Sequence, residues 1–121
     1  MTVSMNKSFG IVGAGVSGLL LANQLVAEGY RVHLFGEKDE RNQILGCWRD
    51  SITPSPQINH LLGSWGSWEF RFDEDYFSQE GLQYRYEVID GKAMKKSIEK
   101  YLQQNPNCLR KTKNVADIKQ Q

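Results

Sequence analysis

Gly13, Gly15 and Gly18 stand in the spacing G-x-G-x-x-G. The chemistry that spacing serves is the holding of a phosphate by backbone N–H groups. Each glycine has a mechanical reason. Gly13 lets the chain turn sharply out of a strand. Gly15 puts no side chain between the backbone and an approaching pyrophosphate. Gly18 lets the following helix lie close on the strand, and Ala22, one turn later, keeps that contact tight. The free N–H groups and the positive end of the helix then face the phosphates, so the candidate loop is Gly13, Ala14, Gly15, Val16, Ser17 and Gly18.

Such a loop works only between a strand and a helix, and the flanking residues supply both. Ser8 to Val12 is a short apolar run of the length of a buried parallel strand. After the glycines, Leu19 to Val26 continues with helix formers until Gly29-Tyr30, where Gly29 suits the left-handed position that ends a helix. Arg31 to Phe35 then reads as a second strand. Strand, glycine loop, helix and strand make a βαβ unit with a right-handed crossover and a parallel pair.

An acidic residue at the end of the second strand commonly holds the adenosine ribose. Here Gly36 occupies the counted position and Glu37 follows. Three readings stand. A bulge brings Glu37 to the ribose, Glu37 acts at longer range beside backbone groups, or Glu37 is a plain surface charge. An acidic residue placed at position 36 is expected to be neutral or to tighten binding. Lys38 and Arg41 lie beyond the strand end and not at it, which disfavours a 2′-phosphate.

After Phe35 the pattern departs from a simple dehydrogenase domain, where another helix follows at once. Residues 42–67 lack periodicity and are rich in Gly, Ser, Pro and Asn. They nevertheless carry Trp48 and Trp65 with Ile58, Leu61 and Leu62, as an ordered excursion would. Trp68 to Asp73 alternates aromatic with charged residues, and so does Tyr84 to Val88. These read as two half-buried antiparallel strands of a second sheet, joined by a polar loop. The aromatic face is expected to be core, with part of it free to line a pocket for a large apolar substrate. Asp90 is a good N-cap, and Ala93, Met94, Ile98, Tyr101 and Leu102 recur at helical spacing up to Asn105-Pro106. The lysines of this helix read as a solvated face. A third strand over 107–111 and a further one over 115–118 are expected. The organisation read from this is a βαβ unit over 1–41, an excursion over 42–89, and a returning helix and strand over 90–121.

Other reactive residues form no catalytic constellation. His33 lies on the second strand and reads as structural. His60 has no cysteine or carboxylate at ligand spacing, so no metal site is expected. Cys47 and Cys108 are far apart without CxxC spacing, which excludes a zinc ribbon or dithiol motif and points to a reducing compartment. Glu69, Arg71 and Asp73 read as the solvent face of a strand. With 15 basic against 14 acidic residues, the net charge of +1 makes no electrostatic case for nucleic acid. The first eight residues are short and polar, and glycines, serine and asparagine break the one long apolar run, so neither a signal sequence nor a membrane span is expected. The default location is the cytoplasm.

In the order of these features the chain resembles the N-terminal part of the FAD-dependent hydroxylase-like flavoproteins. Within that group, Asn42, Gly46 and Trp48, then His60, Trp65, Trp68, Phe70 and Phe72, then Tyr86, Val88 and Ile89 look most like the lycopene cyclase family. The resemblance implies an α/β, Rossmann-like FAD/NAD(P)-binding domain with an antiparallel β excursion. It implies FAD, with Gly13, Gly15 and Gly18 on the pyrophosphate, Glu37 near the ribose and Trp48 near the cofactor or the substrate tunnel. It further implies a carotenoid or other isoprenoid substrate and peripheral membrane contact. Members are several times longer, so a piece of a longer flavoenzyme is expected. The same unit also serves monooxygenases, halogenases and prenyl reductases, and a non-catalytic dinucleotide-binding module remains open.

Overall fold

The structure is a computed structural model that describes residues 7–50, 60–81 and 83–120. Along the chain run β1 (Ser8–Val12), α1 (Val16–Ala27), β2 (Arg31–Phe35), β3 (Ile44–Asp50), β4 (Leu61–Trp65), β5 (Ser67–Phe72), β6 (Asp75–Glu80), β7 (Tyr84–Asp90), α2 (Gly91–Gln104) and β8 (Cys108–Lys111). They divide into two compact units. One is residues 1–41 with 95–121, the other 42–94, and the division falls inside α2.

The first unit is a parallel sheet in the order β1-β2-β8, with α1 crossing between the first two strands. Val12 is level with Phe35, so the residues that leave these strands, Gly13 and Gly36, emerge side by side. The core is apolar and small: Ile11, Leu19, Ala22, Val26, Val32 and Leu34 are buried. Ala22 is fully covered, as close packing of helix on sheet requires. α1 ends where the sequence predicts. Gly29 has φ 91, its N–H donates to the Val26 carbonyl at 3.0 Å, and the Tyr30 N–H donates to that of Leu25 at 3.0 Å. The chain is therefore α/β, a Rossmann-like parallel sheet accompanied by antiparallel sheets.

α2 begins as predicted, with the Asp90 carboxylate accepting the Ala93 N–H at 3.1 Å. Met94, Ile98 and Leu102 are buried, while Tyr101 is exposed. The lysines are not a uniform solvated face, because Lys95 is buried. β8 adds to the parallel sheet beside β2, but residues 115–118 form no strand.

The second unit corrects the sequence reading in three ways. First, β5 and β7 are not partners. β7 is the centre of a sheet in the order β3-β7-β4, and β5 pairs with β6 in a hairpin. The polar stretch read as a connecting loop is thus itself β6. The turn is only Asp73-Glu74, with Asp73 at φ 52, a left-handed conformation that aspartate tolerates better than most side chains. Second, β3 and β4 lie within the segment that has no periodicity. Ile58 of that segment lies outside the described residues. Third, the aromatic face is not core. All of β5 and β6 is exposed, and in β7 the pattern is inverted: Glu87 is 1% exposed whereas Tyr84 is 51% exposed.

The inversion has a physical cause. Charged Glu87 is buried against Arg49, whose Nε donates to Oε1 at 2.8 Å, although Oε2 has no hydrogen-bond partner among the described residues. Arg85 donates to the Ser64 hydroxyl at 2.9 Å and to its carbonyl at 3.2 Å. On the other face, glycines make room for rings. A side chain at Gly46 would collide with the Tyr86 phenol, and one at Gly63 with the Trp65 indole.

Candidate functional site

The candidate site is the glycine loop at the carboxyl ends of β1 and β2, the edge where open α/β sheets bind ligands. The Gly13 N–H donates to the Phe35 carbonyl at 2.8 Å, which carries the parallel ladder one residue past the strand. Gly13 has φ 107, so a side chain there is strained even though space is open around it. Ala14 is buried, and α1 begins two residues later at Val16.

Gly15 is the N-cap of α1, at φ −83 and ψ −165, with its carbonyl accepting the Leu19 N–H at 2.9 Å. Among the described residues no side chain caps the helix, and its first turn holds no acidic residue. The first N–H groups of a helix have no acceptor inside it. Here they form an uncapped, electropositive end beside Val16, Ser17 and Gly18. A Cβ built on Gly15 would meet nothing within 4 Å. Among the described residues that space is left open.

Gly18 differs from Gly15. A Cβ there would lie 1.9 Å from the Gly13 carbonyl oxygen and 3.5 Å from Ile11 Cγ2. Its absence lets the first turn of α1 close onto the loop. Gly15 borders open space, whereas Gly18 leaves room for the protein's own backbone.

The end of β2 is tied down by the backbone. The Gly36 N–H donates to the Lys111 carbonyl at 2.8 Å. The Gly36 carbonyl accepts from Arg110 Nε at 3.2 Å and Nη2 at 3.0 Å, and Arg110 also pairs with Glu99 of α2. Gly36 is buried at φ 141, and a Cβ there would lie 3.0 Å from the Ala14 nitrogen. To the expectation that an acidic residue at position 36 is neutral or favourable for binding, the geometry adds a cost in stability. Gly36→Glu would force an L-residue into a strained region against the phosphate loop. It is expected to cost about 1–3 kcal/mol of stability, read as a lowered urea midpoint. Glu37 follows the bend at Gly36 and is exposed.

Just beyond Glu37 is a group of charges that sequence reasoning missed. Arg41 Nε and Nη2 each donate to an oxygen of Asp39 at 2.9 Å, and Lys95 Nζ lies 3.0 Å from Asp39 Oδ2. The Arg41 guanidinium, then Lys95, holds the Asp39 carboxyl far below the usual carboxylate range. A signal for Lys95 existed, since it precedes Ile98 and Leu102 by three and seven residues and so falls on the buried stripe of α2.

The remaining candidates stay apart. His33 is half-buried on β2 and Cys47 is exposed on β3. Burial pushes the Cys108 thiol up. Among the described residues no group of three or more His, Cys, Asp or Glu is arranged to hold a metal. No helix among them is long and apolar enough to cross a membrane. Within the second unit, Trp48, Trp65, Ser67, Trp68, Tyr86 and Val88 line an open cleft of about 480 Å³, in which the Trp48 and Tyr86 rings meet edge to face at 5.0 Å.

A family model described as a NAD(P)-binding Rossmann-like domain matches residues 11–75, more than half of the chain. No curated protein matches the chain.

Proposed function

We propose, from the premise that the chain belongs to the NAD(P)-binding Rossmann-like domain family, that its glycine loop holds the ADP moiety of FAD in a flavoenzyme that acts on a hydrophobic substrate. The observation that carries this reading is the open space at Gly15 over an uncapped helix end. Backbone N–H groups with no acceptor, no acidic residue in the first turn and no methyl in the way suit a pyrophosphate.

Two features support FAD over a nicotinamide cofactor. After β2 comes an antiparallel unit and not the next helix of a simple dehydrogenase domain. The order of elements also follows that of the hydroxylase-like flavoproteins. The most specific form of the proposal is carotenoid cyclisation of the lycopene cyclase kind, with flavin bound and no net redox change. It is supported by the resemblance and by an aromatic cleft suited to a long apolar substrate. A substrate of that kind is dissolved in a membrane, so peripheral contact belongs to this form. Bound FAD would supply the isoalloxazine ring, and this chain's loop would bind and orient its diphosphate.

The test is titration of the protein with FAD, FMN and NAD, followed by flavin fluorescence for the first two and calorimetry for the third. FAD is expected to bind more tightly than either of the others. Preference for NAD would replace the flavin reading with a nicotinamide one. The same titration tests the ribose contact. A hydrogen bond to a charged acceptor contributes about 1.5–3 kcal/mol, so Glu37→Gln is expected to weaken FAD about tenfold or more. FMN lacks the adenosine ribose and should be unaffected. An unchanged FAD/FMN ratio would make Glu37 a surface charge.

A further inference from the structure

Asp39 serves two cations at once. The Arg41 guanidinium takes both of its oxygens through Nε and Nη2, and the Arg41 backbone N–H donates to Oδ1 at 3.2 Å. Lys95 Nζ reaches the same carboxylate from α2 at 3.0 Å and the Arg41 carbonyl at 3.4 Å. The Lys95 side chain is 2% exposed and that of Arg41 is 78% exposed. A buried ammonium needs a counter-charge, so Lys95 fixes Asp39 in place as an anion. Asp39 in turn fixes the exposed guanidinium.

Arg41 is the group on this turn best suited to a 2′-phosphate. A planar guanidinium binds phosphate through two parallel N–H bonds, and an arginine near the end of the second strand is how such sites accept NADP. Here one of the two edges able to form that fork, Nε–Nη2, is already on Asp39. Glu37 and Glu40, both exposed carboxylates flanking Asp39 in the chain, would repel a phosphate while accepting hydroxyls.

We propose that Asp39 makes this site selective for an adenosine ribose with a free 2′-hydroxyl, by holding Arg41 in an ion pair anchored on buried Lys95. The inference rests on the glycine loop being an ADP site. It adds the determinant that separates NAD- or FAD-type ligands from 2′-phosphorylated ones.

The test uses ADP-ribose and its 2′-phosphate, which differ only in the group at issue, by calorimetry on the whole chain. The wild-type protein is expected to prefer ADP-ribose by about tenfold or more. Asp39→Asn removes a carboxylate from beside buried Lys95, so the informative variant is Asp39→Asn with Lys95→Met, checked for a cooperative thermal transition. With Arg41 released, the preference should shift by about tenfold or more toward the 2′-phosphate. Adding Arg41→Ala should remove that gain. Lys38 is present throughout and cancels from the comparison. Arg41→Ala alone should leave the wild-type ratio within about twofold, because the guanidinium is already engaged. A loss of 2′-phosphate affinity in that variant would show Arg41 to be free and would overturn the proposal. So would equal affinities in the wild type, or an unchanged ratio in a folded double variant. If the wild type binds neither ligand, the ADP-site reading falls first and the selectivity with it.

Discussion

Gly15→Ala is expected to lower affinity for FAD by roughly a hundredfold or more while leaving the fold intact. At this position the two consequences of a methyl group separate. For the protein, Cβ at Gly15 enters open space, and φ −83 with ψ −165 is backbone that any residue adopts. Alanine is a poorer N-cap than glycine, which costs on the order of 1 kcal/mol or less. For the ligand, the methyl would fill open space at the N-cap, where the loop is proposed to take the diphosphate. A hundredfold loss corresponds to about 2.8 kcal/mol, the scale of displaced charge-assisted hydrogen bonds. The measurement is FAD fluorescence quenching beside a thermal melt. Equal affinity in the two proteins would remove the loop from the site. Lost affinity with a collapsed melt would say only that the fold failed.

Much of the first unit was legible because its signals are local. The strand, loop, helix and strand each occupy the residues that hydrophobic runs and Gly29 indicate, since a buried parallel strand and a close-packed helix leave their marks in consecutive residues. The N-cap at Asp90 and the stop at Asn105-Pro106 were legible for the same reason. What escaped depends on partners distant in sequence. The ion triad joins residues 39 and 41 to residue 95, and Gly36 is constrained by Ala14 and Arg110. Nothing adjacent to Gly36 in the chain shows that its φ is positive.

The second unit was read less well, and polarity misled. Alternation in β7 was correctly recognised, but which face is covered is set by neighbouring strands. Arg49 on β3 pairs with one oxygen of Glu87, Ser64 on β4 accepts from Arg85, and Gly46 and Gly63 supply the floor on which Tyr86 and Trp65 lie. Period two shows that a strand has two faces and not which of them is buried. β6 left no mark because all six of its residues are exposed and, among the described residues, it pairs only with β5, so no buried face imposes a pattern on it.

Gly18→Ala is expected to do the reverse of Gly15→Ala, destabilising the first unit whether or not ligand is present. At an unstrained helical position, glycine to alanine gains up to about 1 kcal/mol from propensity. Here that gain is overwhelmed. The new Cβ would sit 1.9 Å from the Gly13 carbonyl oxygen and 3.0 Å from its carbon, and both atoms belong to backbone. The Gly13 N–H is committed to Phe35, so the loop cannot move without breaking the ladder. The alternative is for α1 to lift, which opens the contacts of buried Leu19 and Ala22 with the sheet. Overpacking of this kind costs about 1–3 kcal/mol and occasionally more. The backbone clash places Gly18→Ala at or above the upper end, so the melting temperature should fall by on the order of 10 °C. Thermal denaturation followed by circular dichroism reads this directly. A melting temperature at or above wild type would mean that helix and loop are not in the contact described. Gly18 would then act, as Gly15 does, on the ligand and not on the fold.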